Sequence, residues 1–186
     1  MLCFPKMIML GAEGRNAGKT SLACALISRL KTKYPVYALK VTAVESAAGE
    51  CPRGGAGCGS CKLSGERFVL CEEFDKKSGK DTARLLDSGA EKVFWLRSLR
   101  SSLEEGFAEF LAKLPPEAFI ICESNALREV VHPALFVMLK GESGSVKPSA
   151  SRVAHLADIR FDNPTEAQAA ESCLARLPAC FSAPDR

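Results

Sequence analysis

The chain has 186 residues and a formal net charge of +3, with 25 basic and 22 acidic side chains spread along it. This length predicts one α/β domain with a single substantial core, and the scattered charges exclude the basic stripe that nucleic-acid binding needs. The chain has no apolar run near the roughly 20 residues that cross a bilayer and no clear export signal at its start, so we expect a cytoplasmic protein that binds neither nucleic acid nor membrane.

Short apolar runs with strand character alternate with helical patterns along the chain. This alternation predicts an α/β fold with a mostly parallel sheet flanked by helices. The runs with strand character cover residues 6–11, 35–42, 67–74, 92–96, 118–124, 134–141 and 157–161. We expect the strand at 67–74 to pair with its neighbour in antiparallel orientation.

Four stretches have helical character, the third of them with Leu103, Phe107 and Leu111 on its buried face. Leucines at a spacing of four predict a helix from Lys19 to Lys33. We expect Asp81 to cap the second helix and Asn163 to cap the last one, because both side chains can accept a hydrogen bond from the first helical turn. All elements belong to one predicted domain over residues 1–186, interrupted by a glycine- and cysteine-rich excursion at about 43–66.

The first strand leads directly into "GAEGRNAGKTS" (11–21), which precedes the first helix. A strand, a glycine-rich turn and Gly-Lys-Thr at a helix start predict a phosphate-binding loop, since backbone amides and the helix dipole attract phosphate there. The usual first glycine of the pattern falls on Glu13, so the loop is a variant, and a chance Gly-Lys-Thr is the alternative. The candidate nucleotide-binding residues are Gly14, Arg15, Asn16, Ala17, Gly18, Lys19, Thr20 and Ser21.

Magnesium accompanies the nucleotide at such loops. Lys19 would reach the phosphates, and the Thr20 hydroxyl would hold Mg²⁺. The second metal contact should come from an acid at the end of another central strand, and Glu123 closes the apolar run at 119–122. Lys19 and Glu123 are therefore the predicted catalytic residues, and GTP or ATP with Mg²⁺ is the predicted cofactor. A solvent-facing carboxylate is the alternative for Glu123.

At "GKDTARLLDSGAEKV" (79–93) the sequence resembles the MobB family, the nucleotide-binding accessory proteins of molybdopterin-guanine dinucleotide biosynthesis. "ALKVT" (38–42) is similar to the family's second strand, and "IICES" (120–124) to the strand that ends in its acidic residue. The resemblance extends over roughly residues 6–175. It implies a P-loop NTPase fold of the class that includes MinD and the nitrogenase iron protein.

The resemblance also implies a homodimer that binds GTP or ATP with Mg²⁺. By position it carries over nucleotide binding to Gly18, Lys19 and Thr20, and it places Lys40 and Asp81 beside the site. A helix cap is the alternative role for Asp81. The implied partner is a molybdenum-cofactor biosynthesis protein or a metalloenzyme. We expect slow turnover by the chain alone, because no obvious arginine finger or water-positioning residue is identifiable.

The sequence departs from the family pattern in two places. Histidines usually follow the lysine of the family's second strand, whereas this chain has "VTAVESAAGE" (41–50) and then cysteines. A glycine-containing turn usually follows the acidic strand end, and here "ESNALREVVHP" (123–133) stands in its place. The resemblance therefore supports the fold and the nucleotide chemistry of this chain better than it supports a molybdopterin role. A small-molecule kinase is a third interpretation, although no clear lid or acceptor-site arginine pair stands out.

Four of the nine cysteines cluster, and the cluster is unusually rich in glycine. Thiolates at a two-residue spacing suit Zn²⁺ or an iron–sulfur cluster, and a redox-active disulfide or incidental free thiols are the alternatives. With metal, the chain could be a nucleotide-gated module whose cysteine loop carries or senses metal or redox state. The candidate ligands are Cys51, Cys58, Cys61 and Cys71.

Overall fold

The protein is described by a computed structural model that covers residues 2–45, 63, 65–141 and 146–177. Its strands are β1 (Leu2–Ala12), β2 (Val36–Val44), β3 (Phe68–Glu73), β4 (Lys92–Leu99), β5 (Phe119–Glu123), β6 (Val131–Leu139) and β7 (Ile159–Phe161). Its helices are α1 (Lys19–Leu30), α2 (Asp81–Asp87), α3 (Leu103–Leu111), α4 (Pro148–Ser151) and α5 (Glu166–Arg176). Short 3₁₀ turns cover Arg100–Ser102, Ala126–Glu129 and Ala154–Leu156.

All seven strands form one sheet in the order β3-β4-β2-β5-β1-β6-β7. β3 pairs antiparallel with β4, and every other neighbouring pair is parallel. The predicted α/β class, with a mostly parallel sheet flanked by helices, is confirmed, and so is the antiparallel pairing of the third strand. Because parallel strands end at the same edge, the carboxyl ends of β1, β2 and β5 lie side by side.

Successive side chains of each strand point to opposite faces of the sheet. Ile8, Ala38 and Ile121 pack on the face that α1, α2 and α5 cover, whereas their strand neighbours pack on the face that α3 covers. Each fully buried large apolar side chain of these two cores contributes about 1.5–3 kcal/mol. Lys40 and Glu123 have the same strand parity as Ala38 and Ile121, so both point to the α1 face.

Two predicted helix caps are wrong. Lys80 is the N-cap of α2, and Asp81 is the first helical residue instead. Its carboxylate forms an ion pair with the side chain of Lys40. Thr165 caps α5 and accepts a hydrogen bond from the Gln168 amide at 3.4 Å. Asn163 lies earlier, in the left-handed region at φ 48°, which asparagine adopts more readily than most residues.

Several boundaries also differ from the predicted ones. β1 begins at Leu2, so the first strand is longer than predicted, and it has a register irregularity against β6 between Phe4 and Ile8. β2 continues to Val44, so the excursion predicted from about residue 43 begins later. Most of that excursion lies outside the described residues. None of the helices within the described ranges is long and apolar enough to span a membrane.

Candidate functional site

The connection between β1 and α1 has the backbone of an anion-binding loop. Gly18 is the N-cap of α1 at φ 77°, and Asn16 has φ 53°. Glycine adopts this left-handed conformation without steric cost, and asparagine tolerates it. The amides of the first helical turn have no partner within the helix, and the first turn of α1 contains no acidic side chain that would repel an anion. The end of the loop therefore favours a phosphate group.

The displaced glycine of this loop has a packing role. Gly14 is buried, and a Cβ atom added to Gly141 would lie 2.4 Å from the Gly14 Cα atom. The chain just beyond β6 therefore packs directly on the backbone of the loop. A side chain at Gly141 would force the two segments apart. The sequence alone did not indicate this contact, since it depends on β6 lying next to β1.

Glu123 lies at the end of β5, beside the start of α1. Its side chain is buried, with an exposed fraction of 4% for the residue, and it accepts a hydrogen bond from the Thr20 hydroxyl. Burial raises the pKa of the Glu123 carboxyl, while the charges of Lys40 and Lys19 and the Thr20 hydrogen bond act in the opposite direction. Its Oε1 atom has no hydrogen-bond partner in the described part of the chain.

This donor set fits a hard divalent cation. A carboxylate and a hydroxyl oxygen are the ligands that Mg²⁺ accepts from proteins, usually together with phosphate oxygens and water. A buried carboxylate oxygen without a partner is costly unless something binds it. Thr20 and Glu123 therefore lie where the sequence predicted a magnesium site. The predicted solvent-facing alternative for Glu123 is wrong, because the carboxylate is buried.

Lys40 and Asp81 lie beside this carboxylate. Lys40 is paired in register with Glu123 across β2 and β5, and its ammonium group forms an ion pair with Asp81. The negative charge of Asp81 adds to the effects that raise the pKa of Glu123. Ser21 faces another way, because its Oγ atom accepts a hydrogen bond from Arg84 on α2 at 3.1 Å. Lys40 and Asp81 therefore lie beside Glu123, and their part in binding a nucleotide, which the resemblance implied, stays a prediction.

A cavity of about 280 Å³ opens on the other side of the loop, between α1 and the start of α5. Its wall is mostly apolar, with the loop backbone on one side and a single carboxylate near the start of α5. The lining residues are Asn16, Ala17, Gly18, Leu22, Leu139, Asn163, Pro164, Glu166 and Ala169. A ligand bound to the loop could extend into this space.

Comparison with known proteins adds no family. No protein-family model, no curated protein and no solved structure matches this chain. Its function therefore has to be inferred from the geometry of the site.

The sequence did not reveal the side chains that hold the loop from outside. Lys147 donates from its backbone amide to the Glu13 carbonyl at 2.9 Å and from Nζ to the Gly14 carbonyl at 2.8 Å. Asn125 bonds to Ala12, the residue before the loop. Asn125 follows the predicted acidic strand end by two positions, and this proximity was the only feature of the sequence that could have pointed to it. Lys147 gave none, because lysines are common in connections.

The predicted cysteine site lies mainly outside the described residues. Cys51, Cys58 and Cys61 are there, whereas Cys71 is an exposed residue of β3 whose Sγ atom lies 3.4 Å from Nη2 of Arg97. Within the described ranges, no group of three or more His, Cys, Asp or Glu side chains could hold a metal ion. The zinc or iron–sulfur site stays a prediction.

Proposed function

We propose that this chain binds GTP or ATP with Mg²⁺ through the loop before α1, as a P-loop NTPase of the MinD- and MobB-like class. One observation carries the proposal: the carboxylate of Glu123 is buried beside Thr20 at the N-terminus of α1, and its Oε1 atom has no hydrogen-bond partner among the described residues. Two hard oxygen ligands thus lie beside a site that favours phosphate. The parallel strand order supports the proposal, since it places β5 next to β1.

The residues would divide the binding as follows. Backbone amides of Asn16 to Thr20 and the side chain of Lys19 would bind the phosphates, and Thr20 and Glu123 would hold Mg²⁺. The metal ion supplies charge neutralisation at the phosphate oxygens when it is bound. Lys40 favours the ionised form of Glu123, which is the form that binds a cation.

The cavity beside the loop is the proposed position of the nucleoside. It shares Asn16, Ala17 and Gly18 with the phosphate-binding segment, so a ligand can occupy both at once. Its remaining lining includes Pro164 and Glu166 at the start of α5, with the buried Leu22 and Leu139 behind. These groups do not discriminate guanine from adenine.

The wider role rests on the sequence resemblance. We propose slow hydrolysis of the nucleotide and a MobB-like accessory role in maturation of the molybdopterin guanine dinucleotide cofactor or a related metal cofactor. The proposed state is a homodimer. The proposed partner is a molybdenum-cofactor biosynthesis protein or a metalloenzyme.

Calorimetric titration tests the nucleotide proposal. The wild-type chain should bind Mg-GTP or Mg-ATP, and Lys19→Ala should weaken that binding at least about tenfold, because a charge-assisted contact to phosphate is lost. Lys33→Ala is the matched control: it removes an equal charge from an exposed position just beyond α1. Equal affinities of folded Lys19→Ala and wild type would contradict the phosphate-loop assignment.

A further inference from the structure

β1 is longer at its carboxyl end than the strand beside it. Leu10 is paired with Glu123, the last residue of β5, whereas β1 continues to Ala12. The final backbone bond between the two segments joins the Ser124 amide to the Leu10 carbonyl at 3.0 Å. The chain then turns away into the 3₁₀ turn at Ala126–Glu129. On this side of β1, no backbone of β5 is left to pair with Ala12, although Ala12 is fully buried.

The side chain of Asn125 takes the place of the missing strand. The Ala12 amide donates to its Oδ1 atom at 2.9 Å, and its Nδ2 atom donates to the Ala12 carbonyl at 2.9 Å. A carboxamide carries an acceptor oxygen and an N–H donor side by side, so it can bond to the amide and the carbonyl of one residue at once. Both polar groups of this buried residue are thereby satisfied, as buried backbone groups require.

Gly11 leaves the room that this arrangement needs. A Cβ atom added to Gly11 would lie 2.7 Å from the Oδ1 atom of Asn125, a distance that real Cβ atoms essentially never show. The glycine that opens the loop sequence is therefore explained by the position of Asn125. Asn125 is held in turn by a second bond, from Nδ2 to the Ser149 hydroxyl of α4 at 3.2 Å.

The opposite side of the loop start is fixed by backbone. The Glu13 amide donates to the Leu139 carbonyl of β6 at 2.9 Å. Together with Asn125, this bond fixes Ala12 and Glu13 from both neighbouring directions. The other end of the loop is fixed by α1, so the path of residues 14–18 depends on where Ala12 is held.

We propose that Asn125 is a positioning residue of the phosphate site. It acts through Ala12: it holds the start of the loop so that the amides of residues 16–20 converge on a phosphate. Because it follows Glu123 by two positions, it also fixes the loop relative to the carboxylate proposed to bind Mg²⁺. This inference rests on the proposed nucleotide function, but its effect on the loop can be measured without nucleotide.

The test compares Asn125→Ala and Gly11→Ala, alone and combined, with wild type. Asn125→Ala should accelerate hydrogen exchange at the amides of residues 12–18 about tenfold or more in the ligand-free protein, since the Ala12 amide loses its acceptor. It should also weaken Mg-GTP or Mg-ATP binding about tenfold in calorimetry. Ser149→Ala is the matched control, because it removes only the outer partner of Asn125 and should leave both quantities within about twofold of wild type.

Gly11→Ala adds a readout that a general loss of folding would not give. A Cβ atom at position 11 would displace the Asn125 side chain, because it would lie 2.7 Å from the Oδ1 atom. Gly11→Ala should therefore accelerate the same exchange in the wild-type background, and clearly less in the Asn125→Ala background, where the displaced group is already absent.

The outcomes separate the two proposals. Unchanged exchange at residues 12–18 in folded Asn125→Ala would overturn the positioning role, and so would independent, multiplying effects of Gly11→Ala and Asn125→Ala on that exchange. If exchange accelerates as expected but the wild-type chain binds neither nucleotide, Asn125 still positions the loop, and the nucleotide function is wrong.

Discussion

Two regions of the molecule are held by different kinds of hydrogen bond. At the end of β1, next to β5, the bonds that hold the loop go to main-chain atoms. Around β2, β4 and β3, side chains bond to other side chains. In the first region the backbone of Ala12, Glu13 and Gly14 is held by Asn125 and Lys147. In the second region the pairs are Lys40 with Asp81, Thr82 with Glu73, Trp95 with Thr42, and Arg97 with Cys71. The side-chain pairs of the second region lie toward the face that α1 and α2 cover.

The difference bears on how each region responds to a ligand. Backbone held on both sides cannot shift without breaking several bonds at once, so the loop is set before a ligand arrives. Partly exposed side-chain pairs contribute little individually and can change partners at small cost. We therefore expect the first region to determine affinity and the second to adjust it.

Glu123→Gln should produce the largest effect. It removes a charged ligand, so the enhancement of nucleotide binding by Mg²⁺ should fall by about tenfold or more, while binding without Mg²⁺ should change little. Titrations with and without Mg²⁺ measure both. An equal loss under the two conditions would mean that Glu123 supports the phosphates or the fold and has no role at the metal.

The same substitution should stabilise the ligand-free protein. Burial raises the folded-state pKa of Glu123, so the folded chain binds this proton more tightly than the unfolded chain does. The free energy of unfolding therefore decreases as the pH rises from the ordinary glutamate pKa through the raised one. Glutamine lacks this ionisation, so Glu123→Gln should have a higher Tm than wild type at about pH 8. The difference should shrink in acid.

The pH dependence of binding is the next effect in size. Only the ionised carboxyl binds Mg²⁺, and the raised pKa of Glu123 makes protonation begin at a higher pH than for an ordinary glutamate. The Mg²⁺-dependent affinity should therefore fall on acidification, before the range near pH 4.3 in which free glutamate titrates. Calorimetry over a pH series measures the Mg²⁺-dependent affinity. Glu123→Gln is the reference, because its affinity should not change with the titration of residue 123. A wild-type profile as flat as that reference would contradict the assignment.

Smaller shifts should follow from the neighbouring ion pair, and they should have opposite signs. Lys40 lowers the pKa of Glu123 and Asp81 raises it. Lys40→Met should therefore move the midpoint of the pH profile upward, and Asp81→Asn should move it downward. Lys92→Met is the control, because it breaks an exposed ion pair with Glu72 at 3.3 Å on the far side of β4. Shifts of the same sign for Lys40→Met and Asp81→Asn would show that neither acts through Glu123.

The cysteine cluster should have the smallest effect on nucleotide affinity. If it binds metal, anaerobic purification should yield about one zinc, or an iron–sulfur absorption band, per chain. The double variant Cys58→Ser/Cys61→Ser should lose the metal yet keep the wild-type affinity for nucleotide. Repeated purification without metal under these conditions would contradict a metal site. A change in hydrolysis upon metal loss would favour the metal- or redox-sensing module.

The sequence predicted the parts of the site that follow one another along the chain. The strand, loop and helix around Lys19 form a continuous pattern with its own chemistry, and Glu123 was found because an acid ends an apolar strand. Asn125 and Gly141 could not be found in this way. Their roles exist only because β5 and β6 flank β1, and local patterns do not specify the order of strands in a sheet.

The helix caps failed for a related reason. Asp81 and Asn163 are both suitable cap residues, but each cap depends on the direction from which the chain enters the helix. Asp81 is the first residue of α2 instead of its cap, and its carboxylate forms an ion pair with Lys40. A left-handed residue at Asn163 moved the start of α5 to a position after Thr165. Propensity is a weak guide where such contacts compete.

The contact between Gly14 and Gly141 connects the loop to the segment that follows β6. No room for a methyl group exists between the two backbones. No side chain lies between them that could change its rotamer, so a displacement of Gly14 should displace Gly141 as well. Lys140, the residue before Gly141, donates from its backbone amide to the Phe161 carbonyl of the edge strand β7 at 2.9 Å. If a ligand binds the loop, we expect its effect to reach this edge of the sheet, where an environment-sensitive fluorophore attached near Asp162 would report it.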